Sequence, residues 1–474
     1  MKIKLIIPVI GLLILSACAQ NLRIMHTNDS HAAYEPARNR LGGYQALEYH
    51  LQESRNEVDA HMWLDAGDMQ TGSIFSSMKW EGLQGGAVLK VFEDLDLDAA
   101  TFGNHEFDVS EEHARALVER SAFPFLSANI LNQDGTSFGD AKYAIFPKGK
   151  LKVGVIGLTI ESLPERVKAE NVRNLRILPY LEAIGMVLDE VDKASDLVVI
   201  LSHNGWEADS LLATQLDDRV DIIIGGHSHI ATHEARRVNG IYILSAGSHL
   251  QLLGLADLKV RRDRISSFSS KLIPLTQPPM GFRSKLAKFM DESIGELQMQ
   301  LSEVVGTLPF AFEVDKFSVT PGSFWVAKAI REQYPEADLA MINNGGLRKH
   351  LPAAQVTLRD LHEYIPFGNS VVMFSCYGRD ILAAQAKNRE ILETRPYDIM
   401  SLSEESWLNE ASGAFRIQGK ELVPDKVYRV VSHDYILSQW DKYLGFEPFN
   451  VDETGDMFLD AIIRQVRQEL GGTN

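Results

Sequence analysis

The sequence predicts a layered α/β protein built as two domains. Three observations carry this reading. From Leu22 onward short apolar runs alternate with stretches of helical spacing, five of those runs end in carboxylate, amide or imidazole residues, and the pattern breaks at Pro274, Pro278, Pro279 and Gly281 before a second mixed stretch begins. A chain of 474 residues also exceeds one ordinary core. With 45% hydrophobic and 23% charged residues a disordered chain is excluded. The net charge of -17 argues against a nucleic-acid backbone as partner, so an anionic substrate needs a local positive centre.

The first element is a leader. Lys2 and Lys4 precede an apolar run, Leu5 to Leu15, that is too short to span a bilayer, and Leu15-Ser16-Ala17-Cys18 follows at once. Its ending resembles the lipobox of bacterial lipoproteins, which implies a signal peptide over residues 1–18, cleavage before Cys18 and lipidation of that cysteine. A plain signal peptide cut near Ala17 or Ala19 is the alternative. The expected location is outside the cytoplasm, lipid-anchored to a bacterial membrane, in the periplasm or at the cell surface. Only Cys376 is left once Cys18 is used, so no intramolecular disulfide is expected.

Taken in order, the run Leu22 to Thr27 ends in Asn28-Asp29-Ser30-His31, and His61 to Leu64 ends in Asp65-Ala66-Gly67-Asp68. The stretch after Leu95 ends in Gly103-Asn104-His105-Glu106-Phe107-Asp108, a turn that glycine allows to be tight and that leads into a helix capped by Asp108 or Ser110. Between these runs, Leu41 to Val58 and Leu83 to Leu95 have helical spacing. Strands are expected over Pro124 to Asn129, Lys142 to Phe146 and Lys152 to Thr159, followed by an acidic helical segment, Tyr180 to Ala194. The apolar runs Asp196 to Ser202 and Val220 to Ile224 end in His203 and in Gly225-Gly226-His227-Ser228-His229. Ligands collect beyond the C-terminal ends of strands in α/β sheets, so these five endings should share one rim. Ile241 to Ser245 and Leu255 to Val260 close this first domain, residues 22–275. A connector over 276–303 contains the polar helical stretch Phe282 to Leu301. The second domain, 304–474, mixes helices at Ser323 to Gln333 and Gly378 to Lys387 with strands at Leu339 to Ile342, Val371 to Ser375 and Val427 to Val431.

Asp29, His31, Asp68, Asn104, His203, His227 and His229 form a donor set of carboxylate, imidazole and amide oxygen without thiolate, which suits Mn, Zn, Mg or Fe better than copper or an iron–sulfur cluster. Seven ligands are too many for one tetrahedral zinc and fit two divalent ions that share a bridging carboxylate. Two such ions outweigh the charge of Asp29 and Asp68 and leave a positive centre for a phosphate dianion. A water between them would ionise at a pH of about 7, and that hydroxide is the expected nucleophile. His105 stays outside the ligand list. Asp108 would fix its tautomer and favour its charged form, so that it assists at the phosphoryl and leaving oxygens.

Asp29-Ser30-His31, Gly67-Asp68, Gly103-Asn104-His105-Glu106, His203 and Gly226-His227-Ser228-His229 resemble the five motifs of the calcineurin-like metallophosphoesterases. The longer form Gly103 to Asp108 and the second domain resemble the bacterial 5'-nucleotidase branch, which includes UDP-sugar hydrolases and cyclic-nucleotide phosphodiesterases. The resemblance implies a four-layer α/β/β/α domain followed by a smaller mixed α/β substrate-binding domain. It implies Asp68 as the bridging ligand, Asp29, His31 and His229 on one metal, Asn104, His203 and His227 on the other, and His105 with Asp108 as the catalytic dyad. Ala32 stands where the family often has glycine, and neither this nor the variable last ligand removes a donor.

In the second domain Asn343-Asn344-Gly345-Gly346-Leu347-Arg348 puts an arginine after a strand and a glycine-rich turn, where its guanidinium can fork onto phosphate oxygens. It resembles the family segment whose arginine contacts substrate. Pro366-Phe367-Gly368-Asn369 resembles the segment whose phenylalanine stacks on the base and whose asparagine hydrogen-bonds it. Tyr435 and Asp441 keep the spacing of the family's second aromatic and of its ribose-binding aspartate. Gln439, Trp440 and Lys442 replace glycines there, which implies a narrower or reshaped pocket. Val319 to Ser323 and Tyr397 to Trp407 also depart from the family pattern.

The expected activity is metal-dependent hydrolysis of phosphate esters, with release of phosphate from nucleoside 5'-monophosphates. A 2',3'-cyclic-nucleotide phosphodiesterase or UDP-sugar hydrolase using the same metals is the alternative, and a surface lipoprotein that keeps the fold without turnover is a third. The partners implied are a small phosphate ester and, through Cys18, a membrane.

Overall fold

The structure, a computed structural model, describes residues 19–37, 39–261, 263–395, 397–404 and 415–471. The leader and the lipidation expected at Cys18 lie outside these residues.

Runs of buried aliphatic residues build two six-stranded sheets. The first has the order Ile265–Pro274, Leu252–Val260, Gln20–Thr27, His61–Asp65, Ala99–Thr101, Phe125–Leu126. Its last four strands are parallel, and Leu252–Val260 runs antiparallel to both neighbours. The second has the order Arg236–Val238, Ile241–Leu244, Ile222–Gly225, Leu197–His203, Leu151–Thr159, Tyr143–Lys148, with a parallel centre and antiparallel edges.

The strand period of two decides what each residue packs against. Leu197, Val199 and Leu201 face Leu22, Ile24 and Leu64 in a core shared by the two sheets. Val198 and Ile200 face outward to Ala183, Ile184, Leu188, Val191 and Leu212, which lie on the helices Tyr180–Gly185, Leu188–Ala194 and Trp206–Gln215. On the outer side of the first sheet, Met25 and Trp63 join Tyr44, Leu47, Leu51, Val88 and Phe92 from the helices Tyr44–Asn56 and Gly86–Asp94, with Trp63 stacked on Phe92 at 5.3 Å. The result is a four-layer α/β/β/α arrangement.

Several expected elements differ in detail. The strand expected over Pro124 to Asn129 pairs only at Phe125–Leu126, and Ile130–Leu131 pairs with Arg176–Ile177 instead. The helix expected over Tyr180 to Ala194 is split between Gly185 and Leu188. Ile265–Pro274 is not legible as a strand because its serines sit on the solvent side of an edge strand and leave no continuous apolar run.

After the helix Ala287–Leu301, a five-stranded mixed sheet has the order Met400–Leu402, Leu339–Asn343, Val427–His433, Ser370–Tyr377, Phe449–Met457. Pro321–Gln333, Leu358–Tyr364 and Phe458–Glu469 cover one face through Val326, Ile330, Leu361 and Ile462, while Gly378–Thr394 covers the other through Ile381 and Ala384. Thr320 and Ser323 form a capping box for Pro321–Gln333, so the atypical Val319 to Ser323 segment serves here as a helix start. Cys376 is free and buried in this core.

The two large sheets meet at Gly157, whose carbonyl accepts the Ala128 N–H at 2.8 Å. A Cβ on Gly157 would lie 2.0 Å from the Leu126 carbonyl oxygen. Gly157→Ala is expected to destabilise the protein by about 1–3 kcal/mol in urea unfolding. A change below about 0.5 kcal/mol would mean that the sheets have slack at this point.

Candidate metal and active site

The three strand ends of the first sheet and the two of the second meet on one rim, and the backbone there turns sharply. Asp29 (φ 49), His31 (φ 48), Asp68 (φ 57), His227 (φ 73) and His229 (φ 56) all occupy the left-handed region. Such conformations are uncommon for residues other than glycine, cost of order 1–3 kcal/mol each and persist where the surroundings hold them. Here they turn five side chains toward one point.

Two further devices assemble the rim. A Cβ on Gly103 would lie 2.0 Å from Asp68 Oδ1, so glycine is needed for the two loops to touch. Glu106 is buried beneath them and accepts four backbone N–H groups: those of Asp68 (3.1 Å) and Gly103 (2.6 Å) at Oε2, and those of Met69 (2.8 Å) and Gln70 (3.2 Å) at Oε1. Burial nevertheless pushes its carboxyl up to about 7. In the sequence Glu106 stands only as part of its motif, with no role of its own.

The seven expected ligands converge. His31 Nε2 lies 3.0 Å from His229 Nε2, which is 3.4 Å from Asp29 Oδ1. His203 Nε2 lies 3.1 Å from Asp68 Oδ2 and 3.9 Å from Asp29 Oδ1, and His227 Nδ1 is 3.0 Å from Asn104 Oδ1. Asp29, His31 and His229 form one cluster with metal-ligand spacing, and Asp68, His203 and His227 form another.

The donor chemistry fits divalent cations. His31 Nδ1 meets the Thr71 carbonyl at 3.0 Å and His203 Nδ1 meets the Ala66 carbonyl at 2.6 Å, which places the proton on Nδ1 and frees each Nε2 lone pair. His203 Nε2 is buried and faces the Asp68 carboxylate. Against burial, His203, His105 and His31 hold the Asp68 carboxyl well below its usual range, while Asp68 holds His203 up at about 10. Buried carboxylates thus demand positive charge at this point. Burial holds His31 at about 3 and, with the nearby His203, His227 at about 4.

His105 Nδ1 meets Asp108 Oδ2 at 2.7 Å, and its Nε2 lies 4.0 Å from Asp68 Oδ2. Burial opposes a charge on His105, but Asp108 and Asp68 raise its pKa to about 9. Ser110 is the cap of the following helix, Glu111–Arg120, accepting the His113 N–H. His249, which no sequence motif marks, donates its N–H to the Asp29 carbonyl at 2.7 Å and sets its ring 5.0 Å from that of His31.

A cavity of about 220 Å3 joins Asn104, His105 and Asp108 to Arg348, Phe367, Asn369 and Tyr435. The Arg348 guanidinium lies 5.0 Å over the Phe367 ring, which in turn faces His105 at 6.3 Å. Asp441 is a correction: it is exposed, does not line this cavity and accepts the Lys442 N–H at 2.8 Å. The reason is the helical turn Trp440–Tyr443, which buries Tyr443 and leaves Asp441 and Trp440 exposed, Trp440 at 37% and not filling the pocket. Asp398 lines the cavity instead, bonded by the Tyr443 hydroxyl (2.8 Å), the Asn343 amide (2.9 Å) and the Gly345 N–H (2.6 Å). Lys442 sits over the rings of Tyr397 (4.7 Å), Tyr443 (4.8 Å) and Tyr435 (5.9 Å). Its role is not legible in the sequence because the cage draws on segments far apart in the chain.

Residues 22–231 match the family described as calcineurin-like phosphoesterase, and residues 304–448 match the 5'-nucleotidase C-terminal domain. The chain is 26% identical over 486 aligned positions to a 5'-nucleotidase of Vibrio parahaemolyticus, covering 89% of this chain and 84% of that protein. It is 24% identical over 507 positions to protein UshA of Escherichia coli, covering 93% and 89%. Its fold is similar to the crystal structure of a 5'-nucleotidase precursor from Thermus thermophilus, with a TM-score of 0.75 at 20% identity over 95% of this chain and 96% of the other.

Glu106→Ala strips four loop N–H groups of their acceptor. It should weaken Mn2+ binding by about 10–100-fold in calorimetry, because partners behind a ligand tune it to that extent. Unchanged affinity would show that the loops hold Asp68 without it.

Proposed function

We propose that this chain, which belongs to the calcineurin-like metallophosphoesterases of the 5'-nucleotidase branch, releases phosphate from nucleoside 5'-monophosphates. It is a phosphate-ester hydrolase that uses divalent metal ions. The observation that carries the nucleotide assignment is the continuous cavity that joins His105 and Asp108 to Arg348, Phe367, Asn369 and Tyr435.

In this reading two ions, of Mn, Zn, Mg or Fe, would be held by Asp29, His31 and His229 and by Asn104, His203 and His227, with Asp68 contributing to both sets. Divalent ions there supply the Lewis acidity that makes water a nucleophile near neutral pH and the positive charge that offsets a phosphate dianion. His105, kept charged by Asp108, donates from Nε2 to a phosphoryl oxygen and to the departing ester oxygen. Arg348 lines the cavity without a carboxylate partner among the described residues and forks onto the remaining phosphate oxygens. Phe367 and Tyr435 flank the base, and Asn369 hydrogen-bonds it. Residues 22–275 cleave, residues 304–474 select, and 276–303 link them. The Lys168–Asp434 ion pair and the Arg359 bonds to Tyr34 (2.9 Å) and Glu35 (3.1 Å) support a cleft closed between the two halves.

The same reading places the chain outside the cytoplasm, with lipid at Cys18, on the strength of the leader sequence. Among the described residues no helix is long and apolar enough to cross a membrane. Cyclic-nucleotide or UDP-sugar hydrolysis is a second reading, favoured by cavity-lining cations beyond those a monophosphate needs.

With Mn2+, the full chain should release phosphate from 5'-AMP, and a chelator should abolish it. His105→Ala should lower kcat by about 10²–10⁴-fold with metal content unchanged. Cleavage of an aryl phosphate without any release from 5'-AMP would remove the nucleotide assignment.

A further inference from the structure

A further strand end reaches the rim. Ile241–Leu244 runs parallel to Ile222–Gly225, so its C-terminal end opens on the side where His227 and His229 stand. The loop that follows, Ser245 to Gln251, turns through three left-handed residues, Gly247 (φ 78), His249 (φ 54) and Leu250 (φ 49). It is bound to the first donor loop at three points. Asn28 Nδ2 donates to the Gly247 carbonyl at 2.7 Å, Asn28 Oδ1 accepts the Ala246 N–H at 2.8 Å, and the Asp29 carbonyl accepts the His249 N–H at 2.7 Å. Gly42 packs behind, where a Cβ would lie 2.8 Å from the Leu250 carbonyl oxygen and 3.1 Å from that of His249. The backbone of His249 is thus held from both sides, while its side chain is exposed.

That side chain lines a cavity of about 350 Å3 together with His31, Asp68, His105, His229 and Arg348. Its ring lies 5.0 Å from the ring of His31 and 5.7 Å from that of His229. The His105 ring stands 5.2 Å from His31, so two imidazoles outside the donor set border the same ligand. His105 has Asp108 to orient it, and His249 has Ser248, whose Oγ meets Nδ1 at 2.9 Å. With that hydroxyl donating, the ring proton stands on Nε2. His249 belongs to neither cluster with metal-ligand spacing. A donor one ring beyond a ligand is placed for the oxygen anion that an ion binds rather than for the ion.

We infer that His249 is a further substrate-contacting residue, whose Nε2–H donates to an oxygen of the phosphoryl group seated at Asp29, His31 and His229. The inference rests on the proposed placement of ions at the two clusters. The phosphoryl group is common to every substrate in that reading, so His249 acts on the turnover of all of them alike and leaves the choice of base to the other half of the chain.

The test uses the full chain, His249→Asn and His249→Gln. Both variants keep the backbone N–H that holds Asp29. Asparagine tolerates left-handed backbone and stops short of the Nε2 position, whereas the glutamine amide reaches it. The readouts are calorimetric binding of inorganic phosphate to the Mn2+-loaded protein, and kcat/KM for 5'-AMP and for an aryl phosphate. His249→Asn should weaken phosphate binding about tenfold and lower both kcat/KM values by a similar factor, the worth of one hydrogen bond to a charged group. Its Mn2+ affinity should stay within about twofold of the parent, well short of the loss of about 10–100-fold that follows removal of a partner behind a ligand. His249→Gln should restore part of the loss. Unchanged phosphate binding in His249→Asn overturns the inference, as does a loss of Mn2+ affinity as large as the loss of phosphate affinity, which would mark support of Asp29. A parent chain that binds no Mn2+ overturns the metal reading itself, an outcome distinct from unchanged phosphate binding in a loaded parent.

Discussion

The buried carboxylate of Asp68 is the constraint on which the rim depends. A charge taken that far from water is costly unless it is paired, and removing one partner of such a charge costs several kcal/mol. Around Asp68 the chain gathers the His105 N–H at 2.8 Å, His203 Nε2 at 3.1 Å and, just beyond, the charged ring of His105. Glu106 holds the loop that presents it, and Gly103 leaves it room. These contacts come from both large sheets, so the site exists only where the sheets are in register. The core they share through Leu22, Leu64, Val199 and Leu201 is what sets that register.

Strain and rigidity answer one another here. Left-handed backbone at five of the expected donors is locally unfavourable, and it is tolerated because each follows a parallel strand whose C-terminal end is buried. Among the described residues the C-terminal half contributes no ligand to either cluster, and it closes the cavity with Arg348, Phe367, Asp398 and Tyr435. In the proposed function, chemistry and selection thus lie on separate scaffolds.

The first half is legible in the sequence because its information is local. Each apolar run is a strand, each run ends in its own donor, and Asp29, His31, Asp68, Asn104, His203, His227 and His229 can be read off those endings. The edge strand Ile265–Pro274 escapes because serine on an exposed face gives no pattern to read. The second half is less legible because its cavity is assembled from distant segments. The resemblance points to Asp441, whereas a helical turn hides nearby Tyr443 inside and sets the Tyr443 hydroxyl on Asp398, from the loop before Met400–Leu402.

The proposed function requires the seven donors Asp29, His31, Asp68, Asn104, His203, His227 and His229 to hold two ions, with Asp68 shared. The most direct measurement is anomalous diffraction from crystals of the protein loaded with Mn2+. Two peaks roughly 3.5–4 Å apart, the usual separation in two-ion phosphoesterases, with Asp68 next to both, are expected. A single peak, or two peaks without Asp68 between them, would contradict it.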